Sequence, residues 1–333
     1  MLRCNSDKSM KSAEKSILNL WFRVAEILLS PLTFVGGQWL KLARRYGIEK
    51  LPLTRAILLK IGVFPIRDHY YEPQFKFRTE SHAETRERSL PGVNLNIEAQ
   101  LKLLSQFHFQ EELRRLPMTP GGPNQFGYQN NMFGAGDAEF LYSLVRLIKP
   151  GRIIEIGCGF STLMTRHALA ENQKENPKYA CQHTCIEPYE NPWLAQTGVR
   201  LVREPLENLP VTDFAALEPN DILFIDSSHM IRPGGDVLHE FLEILPLVKP
   251  GVYIHIHDIF TPFDYPDQWV RKEMRFWNEQ YLLEALLSGN SSYEIVAGMY
   301  FLSRKFPEKL AEKFPIFAAA RTTKPGSFWL VKR

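Results

Sequence analysis

The chain reads as an α/β protein built on a doubly wound, mostly parallel sheet, with a helical extension ahead of it. Three observations lead there. From Asp137 onward, short apolar runs alternate with helical patterns. Several of those runs end in glycine turns or in clusters of acids and histidines. The first 60 residues differ from the remainder in both periodicity and charge.

The extension comes first. Ser16, Asn19, Arg23, Glu26 and Ser30 recur at spacings of three and four, a narrow polar stripe on an otherwise apolar helix over residues 16–30. Pro31 is expected to end or kink that helix. A second amphipathic stretch, Leu32 to Tyr46, finishes with Lys41, Arg44 and Arg45 and is closed by Gly47. As a membrane span the segment reads poorly. Arg23 and Glu26 would each cost about 2.5–3.5 kcal/mol near a bilayer centre, and Pro31 with Gly36-Gly37 interrupts the helix. The apolar stretch is charged and no small-residue cleavage site follows it, unlike a signal peptide. Residues 1–60 hold eleven Lys/Arg against four Asp/Glu, a net charge of +7 that leaves −4 for the remainder. A basic amphipathic extension of this kind suits anionic lipid headgroups. Residues 16–46 are therefore candidates for peripheral membrane contact or self-association, in a cytoplasmic protein that touches the inner face of a membrane.

Residues 61–116 read as a connector and helical arm: 65–95 are polar, aromatic and charged, and 96–116 look helical. A Gly-, Asn- and Pro-rich loop over 117–136 opens the main domain, which runs over 117–333. Its strands are expected at Arg152–Ile156, Ala180–Ile186, Val199–Arg203, Asp221–Ile225, Val252–His257, Tyr293–Leu302 and Ser327–Val331. Helices are expected at Asp137–Ile148, Ser161–Asn172, Asp236–Val248 and Asp267–Leu287. The last two strands have no expected helix between them, which favours an antiparallel pair at one edge.

Composition narrows the function. Hydrophobic residues make up 44% and charged residues 23%, an ordinary globular balance, and a net charge of +3 gives no footprint for nucleic acid. Four cysteines make no disulfide framework. Cys181, His183 and Cys185 share a strand face but match no common zinc spacing, so they read as strand packing with reduced thiols.

The strongest motif is Ile153-Ile154-Glu155-Ile156-Gly157-Cys158-Gly159-Phe160-Ser161-Thr162, an apolar strand entering a glycine turn and then a helix. Such a turn lets the backbone approach a ligand and presents free N–H groups. Thr162 stands where a dinucleotide fingerprint has its third glycine. With Glu155 just ahead of the turn, a cationic sulfonium suits the motif better than a pyrophosphate. Glu187 follows the second strand, where an acid can accept both hydroxyls of a ribose. Asp221-Ile222-Leu223-Phe224-Ile225-Asp226-Ser227-Ser228-His229 and Val252-Tyr253-Ile254-His255-Ile256-His257-Asp258 place acids and histidines at the ends of consecutive strands. His255 lies deeper in its strand and reads equally as a core histidine. Phe126, Tyr128, Asn130, Asn131 and Phe133 are candidates to line an acceptor site.

Together Glu155-x-Gly157-x-Gly159, Glu187, Asp226-Ser-Ser-His229 and His257-Asp258 resemble the class I S-adenosylmethionine-dependent methyltransferases, in particular the branch called methyltransferase domain type 24. The resemblance covers about residues 130–333. It implies a seven-stranded Rossmann-like sheet with the last strand antiparallel. It also implies S-adenosylmethionine as cofactor, bound by Glu155, Gly157, Gly159, Ser161 and Glu187. A divalent metal is a candidate second cofactor, held by Asp226, His257 and Asp258, although His257 stands where metal-dependent relatives commonly have an acid. The expected reaction is methyl transfer to a hydroxyl of a sugar or other small molecule. His229 or His257 is favoured as general base over a metal, with Asp226 orienting it. An NAD-type oxidoreductase on a similar sheet and a non-catalytic binding module are the alternatives.

Overall fold

A computed structural model of the chain describes residues 4–66, 73, 86–320 and 323–333, with side chains in the first helix from Asn19 onward. Most of the expected connector over 65–95 lies outside the described residues. The chain divides into two compact units, Met1–Thr79 and Glu80–Arg333.

The first unit holds α1 (Cys4–Tyr46) and α2 (Pro52–Ile61), joined through a 3₁₀ turn at Ile48–Lys50. Of the two outcomes expected at Pro31, it does not end α1; the helix runs through it for 43 residues. Proline lacks the N–H that would bond the Ile27 carbonyl. Ser30 Oγ donates to that carbonyl instead, at 2.9 Å, so the helix loses no acceptor there. The helix ends where Gly47 adopts φ 109°. Ala43, Ile48 and Leu58 form the unit's small buried cluster.

The second unit opens with α3 (Ile97–Ser105), α4 (Gln110–Arg115) and α5 (Asp137–Ile148). Then β1 (Arg152–Ile156), α6 (Phe160–Glu175), β2 (Gln182–Ile186) and β3 (Arg200–Val202) alternate. After a short α7 (Thr212–Ala215) come β4 (Ile222–Ile225), α8 (Asp236–His239), α9 (Leu245–Leu247) and β5 (Tyr253–Ile256). The unit closes with α10 (Glu279–Leu287), β6 (Tyr293–Gly298), α11 (Met299–Lys305), α12 (Pro307–Lys313), α13 (Pro315–Ala319) and β7 (Phe328–Lys332).

The seven strands form one sheet in the order β3-β2-β1-β4-β5-β7-β6. β1 pairs in parallel with β2 and β4, and β4 with β5. β7 alone runs against its neighbours, antiparallel to both β5 and β6. Strands buried on both faces carry continuous apolar sequence, and their side chains divide by alternation. Ile222, Phe224 and Trp329 enter one core with Phe140 and Met164. Leu223, Ile225, Ile254 and Leu330 enter the other with Val237 and Phe241.

Three expectations are corrected. The helix over Asp267–Leu287 is broken: a π turn at Gln268–Lys272 is followed by irregular chain, and α10 begins only at Glu279. The break has a physical cause. Met274 turns into the left-handed region, and the Arg275 guanidinium lies 4.6 Å from the ring centres of both Trp269 and Trp277. The helix over Asp236–Val248 likewise carries a π turn at Glu240–Ile244 just before Pro246. The strand beginning at Tyr293 stops at Gly298, and three helices separate β6 from β7. Met299–Leu302 is buried throughout, so its apolar run has no strand or helix period to read. Pro307 and Pro315 start the next two helices at the position where proline needs no N–H.

Glu139 of α5 accepts backbone N–H groups from Gly136, Ile316 and Phe317 at 3.1, 2.8 and 2.9 Å, tying α5 to α13. Glu139→Ala leaves those donors without acceptors, at roughly 1–3 kcal/mol for each buried one. Urea denaturation should show a loss of about 3 kcal/mol or more; a loss within error of zero would remove Glu139 from this role.

Candidate active site

The sheet order reverses between β1 and β4, and ligands of open α/β sheets bind at the carboxyl ends of strands beside such a point. A cleft of about 950 Å³ opens there. Gly157, Gly159, Ser161, Glu187, Asp226, His229, His257 and Asp258 all line it.

The glycine turn is fixed by contact. Gly157 has φ 73°, and a β-carbon on it would lie 1.9 Å from the Asp226 carbonyl oxygen. Its N–H donates to Ile186 O at 3.0 Å. Thr162 replaces the missing third glycine by accepting the Gly159 N–H on Oγ1 at 3.1 Å. Glu187 accepts backbone N–H groups from Cys158, Tyr189 and Glu190 at 3.3, 3.0 and 2.9 Å. Asn191 Nδ2 donates to Cys158 O at 2.8 Å and braces the turn from the far side.

Glu155 is not among the residues lining the cleft. Its carboxylate lies beneath the turn, 99% buried, where it accepts from Ser161 Oγ at 2.6 Å and meets His183 Nε2 at 2.8 Å. The Cys185 thiol is 3.6 Å from His183 Nε2. Ligand atoms of Glu155, Cys158 and Cys185 lie within 4.8 Å of one another, but the group closes its own hydrogen bonds, with Cys158 Sγ donating to Glu155 O at 3.4 Å. The strand face holding Cys181, His183 and Cys185 thus contributes only its last two members to this group among the described residues.

At the ends of β4 and β5 the charges converge. His229 Nδ1 is 2.8 Å from Glu279 Oε2, and its Nε2 is 3.3 Å from Asp226 Oδ1 and 3.6 Å from Asp258 Oδ2. His257 Nδ1 lies 3.4 Å from Asp226 and 3.6 Å from Asp258. His229 and Asp258 both adopt left-handed backbone, φ 59° and 57°. Non-glycine residues pay strain for that conformation, and such strain clusters at functional sites. Burial alone would lower the His229 pKa, but Asp226 and Glu279 push it up to about 10. Burial likewise disfavours the Asp226 carboxylate, yet His257 and His229 hold its pKa well below the usual range. Ligand atoms of Asp226, His229 and Asp258 lie within 4.8 Å of one another, a donor set of two carboxylates and one imidazole. The sequence reading paired the two aspartates with His257 instead.

His255 is a core residue. It stacks on Phe224 at 3.8 Å, and its Nε2 meets Ser327 Oγ at 2.9 Å. Of the loop residues, Asn131 and Phe133 reach the cleft beside Met132, whereas Phe126 and Tyr128 are buried in the core. Glu279, Trp269, Arg275 and Trp277 were missed by sequence reasoning. They were folded into an expected continuous helix, and no local pattern marks a partner 50 residues from His229.

A family model described as a methyltransferase domain matches residues 154–259. An uncharacterised protein of Archaeoglobus fulgidus is 30% identical over 174 residues, 48% of this chain and 76% of that one. The chain belongs to the class I S-adenosylmethionine-dependent methyltransferases. This membership sets aside the NAD-type oxidoreductase. Similar solved structures include the O-methyltransferase TomG of Streptomyces achromogenes, involved in tomaymycin synthesis, in complex with SAM. It is 20% identical over 69% of this chain and 89% of that one, with a TM-score of 0.35. An O-methyltransferase of Bacillus cereus in complex with SAH is 14% identical over 71% and 91%, with a TM-score of 0.34.

The methyltransferase's His183–Glu155 pair makes its stability depend on pH. Burial would lower the His183 pKa, but Cys185 and Glu155 push it up to about 9. A raised histidine stabilises the fold fully below its unfolded value of about 6.5 and loses that contribution as pH rises through the folded value. The difference in unfolding free energy between wild type and His183→Gln should therefore shrink between pH 6.5 and about 9. A constant difference across that window would refute the pairing.

Proposed function

We propose that the second unit transfers the methyl group of S-adenosylmethionine to a hydroxyl of a small, sugar-like acceptor, with Asp226, His229 and Asp258 holding a divalent cation beside that hydroxyl. One observation carries the reading: the glycine turn, Glu187 and the acid–histidine cluster open onto a single cleft of about 950 Å³. Pockets of about 300–1,000 Å³ accept small molecules and cofactors.

The roles follow from the residues. The backbone at Gly157 and Gly159 lets the cofactor's amino-acid tail approach closely. Glu187 accepts the ribose hydroxyls on the lone pairs left over from its backbone bonds. The cofactor supplies a methyl on a cationic sulfonium, which suits a cleft walled by Glu187, Asp226 and Asp258. The Trp277 ring lies 4.3 Å from that of His229, tilted by 43°, and with Trp269 lines the cleft, where an acceptor ring would pack.

Support for a cation over a free histidine base comes from the surroundings of His229. Glu279 takes Nδ1 and two carboxylates face Nε2, so that nitrogen carries a proton when the site is empty and would give it up to a cation bound between the carboxylates. A neutral ring held by Glu279 would aim its Nε2 lone pair at those same carboxylates, an arrangement that a cation relieves. Two carboxylate oxygens and an imidazole suit manganese, iron or zinc better than magnesium. A cation there acidifies an adjacent hydroxyl. Glu279 fixes which nitrogen of His229 faces the site. The second reading makes His229 or His257 the general base, with Asp226 orienting it.

Three experiments test these assignments. Glu187→Gln should weaken S-adenosylhomocysteine binding about tenfold or more by calorimetry, as expected for losing charge-assisted hydrogen bonds; undiminished affinity would release Glu187 from the ribose. EDTA should abolish turnover and manganese or zinc restore it. Asp258→Asn should cost roughly 10²–10³ in kcat with cofactor affinity kept, the scale of losing one electrostatic stabiliser. Full activity in EDTA, with a comparable loss in His257→Ala, would favour the histidine base.

A further inference from the structure

We propose that α1 crosses a lipid bilayer once, between Trp21 and Trp39, and holds the methyltransferase unit at the membrane. The proposal does not depend on the cofactor or acceptor assignments above.

The continuity of the helix carries the argument. Asn19–Tyr46 is an unbroken helical segment of 28 residues that contains an 18-residue window of mean hydropathy 1.3, long and apolar enough to cross a membrane. A helix in hydrocarbon must satisfy every backbone polar group internally, because no water is there to do so. Pro31 threatens that condition by freeing the Ile27 carbonyl, and Ser30 Oγ meets it at 2.9 Å. Thr33 Oγ1 donates to Leu29 O at 3.1 Å. Both hydroxyls near the middle of the segment are therefore bonded within the helix.

Apolar side chains surround the helix. Leu20, Trp21 and Phe22 are consecutive and exposed, and so are Ile27, Leu28 and Leu29. Successive residues are about 100° apart, so each triplet covers roughly 200° of the circumference. A helix lying in the headgroup plane buries one face and would leave part of each triplet in water. Crossing the bilayer buries all of it.

The ends match as well. Trp21 and Trp39 are 18 residues apart in sequence, about 27 Å along a helix, close to the hydrocarbon thickness of about 30 Å. Tryptophan is enriched at both membrane interfaces. Arg23 lies half a turn inside Trp21, within snorkelling reach of the headgroups, and Glu26 follows it at a spacing that allows ion pairing. Lys41, Arg44 and Arg45 follow Trp39 closely, and Lys50, Arg55 and Lys60 extend that basic flank. Four basic residues, Arg3, Lys8, Lys11 and Lys15, precede the segment, against six after it. The heavier basic flank marks the cytoplasmic side, which puts the methyltransferase unit there and Cys4 on the opposite face.

The test uses the full chain produced in a bacterium. Membranes are washed with alkaline carbonate, and intact spheroplasts are treated with a membrane-impermeant maleimide, with Cys4→Ser as control. The chain should stay in the carbonate-washed pellet, and Cys4 should be labelled without lysis. Leu29→Lys should move the chain to the soluble fraction while S-adenosylhomocysteine binding is unchanged, which shows that the second unit remains folded. Release by carbonate would make α1 a surface-bound helix and overturn the proposal. A wild-type chain found wholly in the soluble fraction, or Cys4 labelled only after lysis, would overturn it too.

Discussion

Gly157 passes so close to the Asp226 carbonyl that no side chain fits between them, and the architecture of the site depends on that contact. It joins the turn after β1 to the end of β4, so the glycine turn and the acid–histidine cluster become two walls of one cleft. The left-handed φ of 73° at Gly157 makes the approach available to glycine and strained for any other residue. Beneath the turn, Glu155 bonds Ser161 and His183 and so ties β1, β2 and the start of α6 together. This carboxylate acts on the cleft through the backbone it holds.

The second constraint is electrostatic. Asp226, Asp258 and Glu279 surround His229, and Asp137 Oδ2 stands 3.6 Å from His257 Nε2. Four carboxyl groups crowd two imidazoles in one neighbourhood, and burial pushes the Asp258 and Glu279 carboxyls above their usual range. Ionised carboxylates so placed are costly in a low dielectric unless positive charge answers them. The sulfonium of S-adenosylmethionine supplies positive charge of that kind. The broken segment after Asp267 belongs to the same economy of structure. By folding Arg275 against Trp269 and Trp277, it releases α10 to begin at Glu279, facing His229.

The first unit answers to a different solvent condition. In an aqueous setting, exposed leucine, tryptophan and phenylalanine around a long helix are unfavourable. The same helix has its proline-freed carbonyl bonded by Ser30 Oγ, which makes it suited to surroundings without water.

Much of this protein was legible in its sequence because the relevant signals are local. Ile153–Ile156 leading into Gly157 and Gly159 announces a strand, a turn and a ligand in a few residues. Asp226, His229, His257 and Asp258 announce themselves by standing at the ends of apolar runs. The seven strands and the antiparallel β7 followed from that alternation and from the family resemblance. What only the tertiary structure decided are relations between distant residues. Glu279 meets His229 across 50 positions, Glu155 turns away from the cleft toward His183, and both His229 and His257 come within 3.6 Å of the two aspartates. Local pattern fixes which face a side chain occupies. The partner it meets there depends on strand order, on where a helix breaks, and on contacts such as Arg275 with its two tryptophans, which form only once the chain has folded.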